Sequence, residues 1–168
     1  MDLSKVAVTS ASESDLPSLV RFFRAVAAAE APNDPAALER GEAGLRDALA
    51  GFDFLQRDGY PLLLARVDGE SAGYLQAVII PKADARVGYL FVDEIYVLPA
   101  YRRRGVGRAL VPCVQTLAGE LGLAGVRLLV RPGNAAAREL YRSCGFAEHK
   151  TLFCEWQGER RRGEGETG

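Results

Sequence analysis

Residues 89–107 of the chain read YLFVDEIYVLPAYRRRGVG and decide its fold. The first half of this stretch is apolar on both faces, which is typical of a strand in the interior of a sheet. Pro99 ends the strand, and the apolar spacing of residues 106–121 predicts a long helix after it. A strand therefore runs through a short loop into a helix, a unit from which α/β sheets are built.

The loop at residues 102–107 reads RRRGVG and is predicted to bind an anion. The first N–H groups of a helix have no partner inside it, and the helix dipole places partial positive charge there. Phosphate and pyrophosphate groups suit such a position. A nucleotide triphosphate loop would need Gly-x-x-x-x-Gly-Lys-Ser/Thr, which is absent, and a dinucleotide loop would need a third glycine where Leu110 stands.

The remaining pattern predicts one mixed α/β domain over residues 1–157 with the element order β-α-α-β-β-β-α-β-α-β-β. The expected strands are residues 6–8, 62–67, 71–80, 89–98, 126–130, 146–148 and 151–156, and the expected helices are residues 16–26, 36–50, 106–121 and 135–144. Asp68 and Gly69 predict a tight hairpin turn between two of the strands. Residues 158–168 are charged and rich in glycine, and we expect a disordered tail there.

Composition excludes several classes of function. The net charge of the 168-residue chain is −1, so no overall field attracts nucleic acid or an anionic membrane. Its three cysteines include no Cys-x-x-Cys pair and it has one histidine, which argues against a disulfide framework, a metal site and a Ser-His-Asp triad. No apolar run approaches the roughly 20 residues that span a bilayer. We therefore expect a cytoplasmic protein with reduced thiols.

Two motifs occur in a specific order and separation. The first is EIYVLPAYR at residues 94–102, continuing into Arg-x-x-Gly-x-Gly at residues 102–107. The second is Asn134 with Tyr141 seven residues on, followed by Gly-Phe at residues 145–146. Together they resemble the GCN5-related N-acetyltransferase (GNAT) superfamily. This resemblance implies a sheet with two splayed central strands, helices on both faces, acetyl-CoA as co-substrate and no metal.

The resemblance also implies where the coenzyme lies. The backbone N–H groups of residues 103–108 would hold its pyrophosphate, and the backbone of Val97 would contact the pantetheine arm or the acetyl carbonyl. Asn134 would contact the coenzyme arm, and it is also a good helix cap on local grounds. The residues expected to bind acetyl-CoA are Ile95, Tyr96, Val97, Arg102, Arg103, Arg104, Gly105, Val106, Gly107, Arg108, Asn134 and Ala137.

Two side chains are expected to take part in the chemistry. By the resemblance, Glu94 would be the general base that removes a proton from the amine, and Tyr141 would protonate the leaving thiolate. Asp93 is a weaker alternative base, and strand alternation predicts that it faces away from Glu94. Both roles have structural alternatives: Glu94 could form a salt bridge with an arginine, and Tyr141 could be an ordinary core residue.

These expectations define an acetyl-CoA-dependent N-acetyltransferase that moves an acetyl group to a primary amine of a small molecule, peptide or protein. The amine would attack the thioester directly while both substrates are bound. A catalytically silent acyl-CoA-binding or regulatory domain with the same fold is the alternative. A nucleic-acid-binding protein is disfavoured because the chain has no basic stripe. The resemblance also allows a homodimer.

Overall fold

A computed structural model describes residues 6–56 and 58–157 as a mixed sheet with four helices. The strands are β1 Val6–Ser10, β2 Leu62–Val67, β3 Glu70–Ile80, β4 Tyr89–Val97 and β5 Val126–Leu128. The helices are α1 Leu16–Glu30, α2 Ala37–Gly51, α3 Val106–Glu120 and α4 Ala135–Ser143. Short 3-10 turns at Glu13–Asp15 and Pro99–Tyr101 precede α1 and follow β4.

The five strands lie in the order β1-β2-β3-β4-β5. The first four are antiparallel to their neighbours, and β5 pairs with β4 in parallel after the crossover through α3. The hairpin between β2 and β3 has the predicted turn, with φ of 52° at Asp68 and 86° at Gly69. Positive φ at both central residues matches the twist of the strands that they join.

Helices cover both faces of the sheet, as predicted. On one face, α3 places Val106, Leu110 and Val114 against the apolar residues of β2, β3 and β4. On the other face, α1 and α2 form a second core around Leu19 and Phe22. Burial of these apolar side chains is the main stabilising contribution from both layers.

A β-bulge in β4 changes which side chains face which layer. Gln76 pairs with Glu94, whereas the next residue of β3 pairs with Val92, so Asp93 is an extra residue on β4. Val92 before the bulge and Ile95 after it both belong to the α3-side core. Asp93 and Glu94 therefore both project from the α1–α2 face. The prediction that these two carboxylates face opposite ways is wrong because the inserted residue interrupts the alternation.

The two central strands diverge beyond the bulge. Parallel pairing of β4 with β5 covers only Leu90 to Val92, opposite Val126 to Leu128. From Asp93 onward, the side of β4 that faces β5 has no strand partner among the described residues. This gap is the splay that the sequence resemblance implied.

The two C-terminal strands predicted at residues 146–148 and 151–156 do not form, and in the described part of the chain no backbone hydrogen bond joins residues 147–157 to the sheet. Glu148 instead accepts hydrogen bonds from Arg138 and Arg142 of α4, which hold the start of this segment beside that helix. Leu152, Phe153 and Trp156 remain 90%, 70% and 88% exposed. The predicted tail at residues 158–168 lies outside the described residues.

Candidate active site

The loop between β4 and α3 turns sharply and presents backbone donors. Arg103 and Gly105 have φ of 62° and 84°, both in the left-handed region, and Gly105 is the N-cap of α3. Among the described residues, none accepts a hydrogen bond from the backbone N–H groups of residues 103–108. These donors lie at the positive end of a 15-residue helix, so the loop can hold an anion such as pyrophosphate.

Arginine side chains tie this loop to the end of β4. The Arg102 Nε donates to the carbonyl oxygen of Val97 at 3.0 Å, and its guanidinium lies 5.8 Å from the centre of the Tyr96 ring. The Arg104 guanidinium lies 5.3 Å from the ring centre of Tyr101. These contacts connect the last residues of β4, where the splay is open, to the anion-binding loop.

Helix α4 packs against the start of α3 through a glycine. A Cβ on Gly107 would lie 2.9 Å from Cδ2 of Leu140, so the lack of a side chain there lets α4 approach closely. Asn134 caps α4 as predicted, since its Oδ1 accepts from the N–H of Ala137 at 3.1 Å. The structure thus brings Asn134 and Ala137 onto the helix that adjoins the loop.

Glu94 has an unexpected partner across the sheet. The hydroxyl of Tyr74, on β3, donates a hydrogen bond to the Glu94 Oε2 atom. No cation within the described ranges forms an ion pair with Glu94, so the arginine salt bridge considered as its structural alternative is absent. Tyr74 lies outside both sequence motifs, and only the strand register brings it near Glu94.

Tyr74 lies in an aromatic cluster formed mainly by α1 and β4. Its side chain is 5% exposed, and its ring centre lies 5.7 Å from that of Phe22, 5.4 Å from Phe23 and 6.5 Å from Tyr96. Burial is the largest cause that raises the pKa of Tyr74 above its ordinary value of 10.0, followed by the hydrogen bond to Glu94. The negative charges of Glu94, Glu30 and Asp93 raise this pKa further. The Tyr74 hydroxyl thus contacts one carboxylate, that of Glu94, and is under the electrostatic influence of two more.

Tyr141 lies on α4. Its side chain is 7% exposed and its ring centre lies 5.8 Å from that of Phe146. Burial raises the pKa of its hydroxyl above the ordinary value of 10.0. In the described part of the chain this hydroxyl has no hydrogen-bond partner, and it is not fully enclosed by protein atoms. No hydrogen bond joins Tyr141 to Glu94.

A sequence model of the acetyltransferase (GNAT) family matches residues 24–146, which is more than half of the chain. The chain belongs to the GNAT family. Among curated relatives, an aminoglycoside N(6')-acetyltransferase type 1 from Salmonella typhimurium is 28% identical over 107 residues, covering 61% of this chain and 73% of the relative. A thialysine N-epsilon-acetyltransferase from Bos taurus is 27% identical over 173 residues, covering 95% of this chain and 94% of the relative.

A solved structure of this GNAT fold, the acetyltransferase AAC(6')-Iy with a bisubstrate analogue of coenzyme A, matches with a TM-score of 0.64 at 23% identity. The match covers 91% of this chain and 99% of that one, and it shows a shared fold. The family and its named relatives confirm the predicted activity: the protein is an acetyl-CoA-dependent N-acetyltransferase that acts on amines.

A cavity of about 430 Å³ opens in this GNAT enzyme between α1, the start of β3 and the turn after β4. Its polar lining comes from Ser18, Arg21, Glu70 and Ser71. Neither Glu94 nor Tyr141 lines it, so it adjoins the predicted reaction centre without containing it.

None of the contacts described above involves a cysteine or the histidine. Cys113, Cys144 and Cys154 are free, and His149 is exposed. The described ranges contain no cluster of three or more His, Cys, Asp or Glu side chains that could hold a metal ion. Within the same ranges, no helix has both the length and the apolar character needed to cross a membrane.

Proposed function

We propose that this enzyme acetylates a small-molecule amine that carries more than one positive charge. The observation behind this proposal is the β-bulge that places Asp93 and Glu94 together on the α1–α2 face, where Glu30 of α1 adds a third negative charge that acts on the Tyr74 hydroxyl. An ammonium group is attracted to such a cluster, and neighbouring aromatic faces also favour cations. One carboxylate can accept a proton while the others bind remaining ammonium groups.

The relatives support a cationic acceptor of this kind. Two are named for an aminoglycoside and for thialysine, and both of these compounds contain amines. The acceptor would approach from the α1–α2 face, where the bulge places both Asp93 and Glu94. The acyl group transferred is an acetyl group in the names of both relatives.

Acetyl-CoA would approach from the splay between β4 and β5. Its pyrophosphate would accept hydrogen bonds from the N–H groups of residues 103–108, with the Arg102, Arg103 and Arg104 guanidinium groups nearby. The pantetheine arm would lie along the backbone of residues 95–97, where β4 has no partner on its β5 side. Asn134 and Ala137 would contact the same arm from α4.

The reaction then needs two proton transfers. The amine attacks the acetyl carbonyl, and Glu94 accepts the proton that the nitrogen loses as the C–N bond forms. The tetrahedral intermediate collapses, the C–S bond breaks, and Tyr141 donates its proton to the departing thiolate to give free coenzyme A. Burial raises the pKa of Tyr141, so this residue holds its proton at neutral pH. Holding the amine and the thioester in line supplies much of the rate enhancement.

The test is Glu94→Gln against Asp93→Asn, with sisomicin and thialysine as acceptors and thiol release as the readout. Glu94→Gln should lower kcat by about 10²-fold or more, a typical contribution of a general base. It should also abolish the acidic limb of the pH profile of kcat, which is the fall in kcat at low pH. Asp93→Asn should mainly raise KM for the acceptor. If Asp93→Asn removes the acidic limb and Glu94→Gln does not, Asp93 is the base.

A homodimer and a cytoplasmic location also remain proposals. The apolar residues Leu152, Phe153 and Trp156 are exposed, and the outer edge of β5 has no neighbour among the described strands. In a homodimer, the apolar segment of each chain would pack against the open β5 edge of the other chain, so that both contacts form twice. Light scattering of the wild type and of Trp156→Ser would test this pairing. The three free cysteines are consistent with a reducing compartment.

A further inference from the structure

Tyr74 contacts the proposed base but lies outside both sequence motifs. We propose that Tyr74 is a positioning residue that holds the Glu94 carboxylate in place for proton transfer. This inference rests on the proposed role of Glu94 as the general base. Tyr74 does not itself touch the reacting atoms; it acts through Glu94.

The strand register explains how these two side chains meet. Tyr74 pairs with Tyr96 and Gln76 pairs with Glu94, so Tyr74 and Glu94 are diagonal neighbours on adjacent strands. Diagonal neighbours on one face are about 7–8 Å apart, within reach of an aromatic side chain. The bulge at Asp93 is required, because without it Glu94 would face the α3 layer. The hydrogen bond is therefore a product of the bulge and the register together.

The Tyr74 ring is held in place by its packing, whereas the exposed Glu94 side chain would be mobile without its hydrogen bond to Tyr74. The Tyr74 ring is packed against Phe22, Phe23 and Tyr96, and it is 5% exposed. Glu94 is exposed, so without a partner its flexible side chain would sample several rotamers. The Tyr74 bond engages Oε2 and leaves Oε1 without a protein partner in the described chain, so Oε1 can accept the proton of the amine.

The surroundings of the pair favour donation from the hydroxyl. Burial and the adjacent carboxylates raise the pKa of Tyr74, so the phenol remains a donor throughout the working range. The titratable or charged groups that face it are Glu30 of α1 and Asp93 and Tyr96 of β4, with the Arg102 guanidinium near the Tyr96 ring. Of these carboxylates, Glu94 is the one to which the hydroxyl donates its hydrogen bond.

The experiment is a double-mutant cycle of Tyr74→Phe and Glu94→Gln, with Tyr89→Phe as the matched control. Tyr89, at the other end of β4, also loses only a hydroxyl in that variant. Tyr74→Phe keeps the aromatic ring in the core, and its melting temperature is measured alongside its activity. Rates are taken from pH 5 to 9 with saturating acetyl-CoA and sisomicin or thialysine, whichever the wild type acetylates.

We expect Tyr74→Phe to lower kcat about tenfold and to move the acidic limb of the kcat profile to higher pH, because a donor to the carboxylate is lost. KM for acetyl-CoA should stay within twofold, and Tyr89→Phe should match the wild type. In the Glu94→Gln background, adding Tyr74→Phe should change kcat by less than twofold. Glu94→Asp, which shortens the carboxylate without touching the core, should shift the same limb.

Three different results would overturn the proposal. If Glu94→Gln abolishes the acidic limb but Tyr74→Phe leaves it unmoved, Glu94 is the base and Tyr74 is only a core residue. If Glu94→Gln itself leaves the limb unchanged, the role of Glu94 fails and the positioning role of Tyr74 fails with it. If Tyr74→Phe lowers kcat by the same factor at every pH, with no shift of the acidic limb, Tyr74 contributes only to core packing.

Discussion

A Cβ atom on Gly73 would lie 2.6 Å from the carbonyl oxygen of Tyr96. The same atom would lie 3.1 Å from Cγ1 of Val106 and 3.3 Å from the Cα of Val97. β3 thus approaches the end of β4 and the start of α3 more closely than any side chain permits. Gly73 thereby sets the position of the strand end that leads into the loop at residues 102–107.

Gly73→Ala should lower the free energy of unfolding by about 1–3 kcal/mol, because backbone atoms must move to relieve the contact. It should also weaken acetyl-CoA binding, since the end of β4 is displaced. Urea unfolding and calorimetric titration with acetyl-CoA measure the two effects. Gly119→Ala is the control: Gly119 is helical with open space around it, so alanine should stabilise by about 0.5–1 kcal/mol. Wild-type stability and affinity in Gly73→Ala would show that the close approach is not needed.

Gly105→Ala should reduce both stability and acetyl-CoA affinity. Gly105 has a φ of 84°, and an L residue in the left-handed region costs about 1–2 kcal/mol. Gly122→Ala supplies a matched control, because Gly122 has a φ of 64° just after the C-terminal end of α3, far along the chain from the loop. Both variants should unfold at lower urea concentration, but only Gly105→Ala should bind acetyl-CoA at least tenfold more weakly. Equal affinities in the two variants would remove Gly105 from the coenzyme site.

Tyr141→Phe should lower kcat by at least tenfold while the melting temperature changes little, because only one hydroxyl is removed and its ring contact with Phe146 remains. Burial raises the pKa of Tyr141 above 10.0, so the wild type should show no loss of rate from its ionisation below about pH 10. Stopped-flow thiol release over pH 6 to 10 checks both statements. Full activity in this variant would reduce Tyr141 to a packing residue.

The element boundaries could be predicted largely from local sequence. The hairpin follows from Asp68 and Gly69, and the start of α3 follows from the glycine loop, because turn and cap chemistry acts over a few residues. The prediction for α3 ended one residue beyond its observed last residue, Glu120. The C-terminal strands were predicted from β propensity alone, but a strand needs a hydrogen-bonded neighbour, and residues 147–157 have none among the described residues.

The sequence by itself determined the family and the strand-loop-helix unit that ends in the glycine loop, because a helix N-terminus and its glycines are encoded within one short stretch. Only the tertiary structure decided what surrounds Glu94. The extra residue at Asp93 appears as a bulge once β3 and β4 are in register, and it turns two carboxylates to one face. Tyr74 meets Glu94 for the same reason: strand pairing joins residues 20 positions apart, and no local pattern records which residues will be paired.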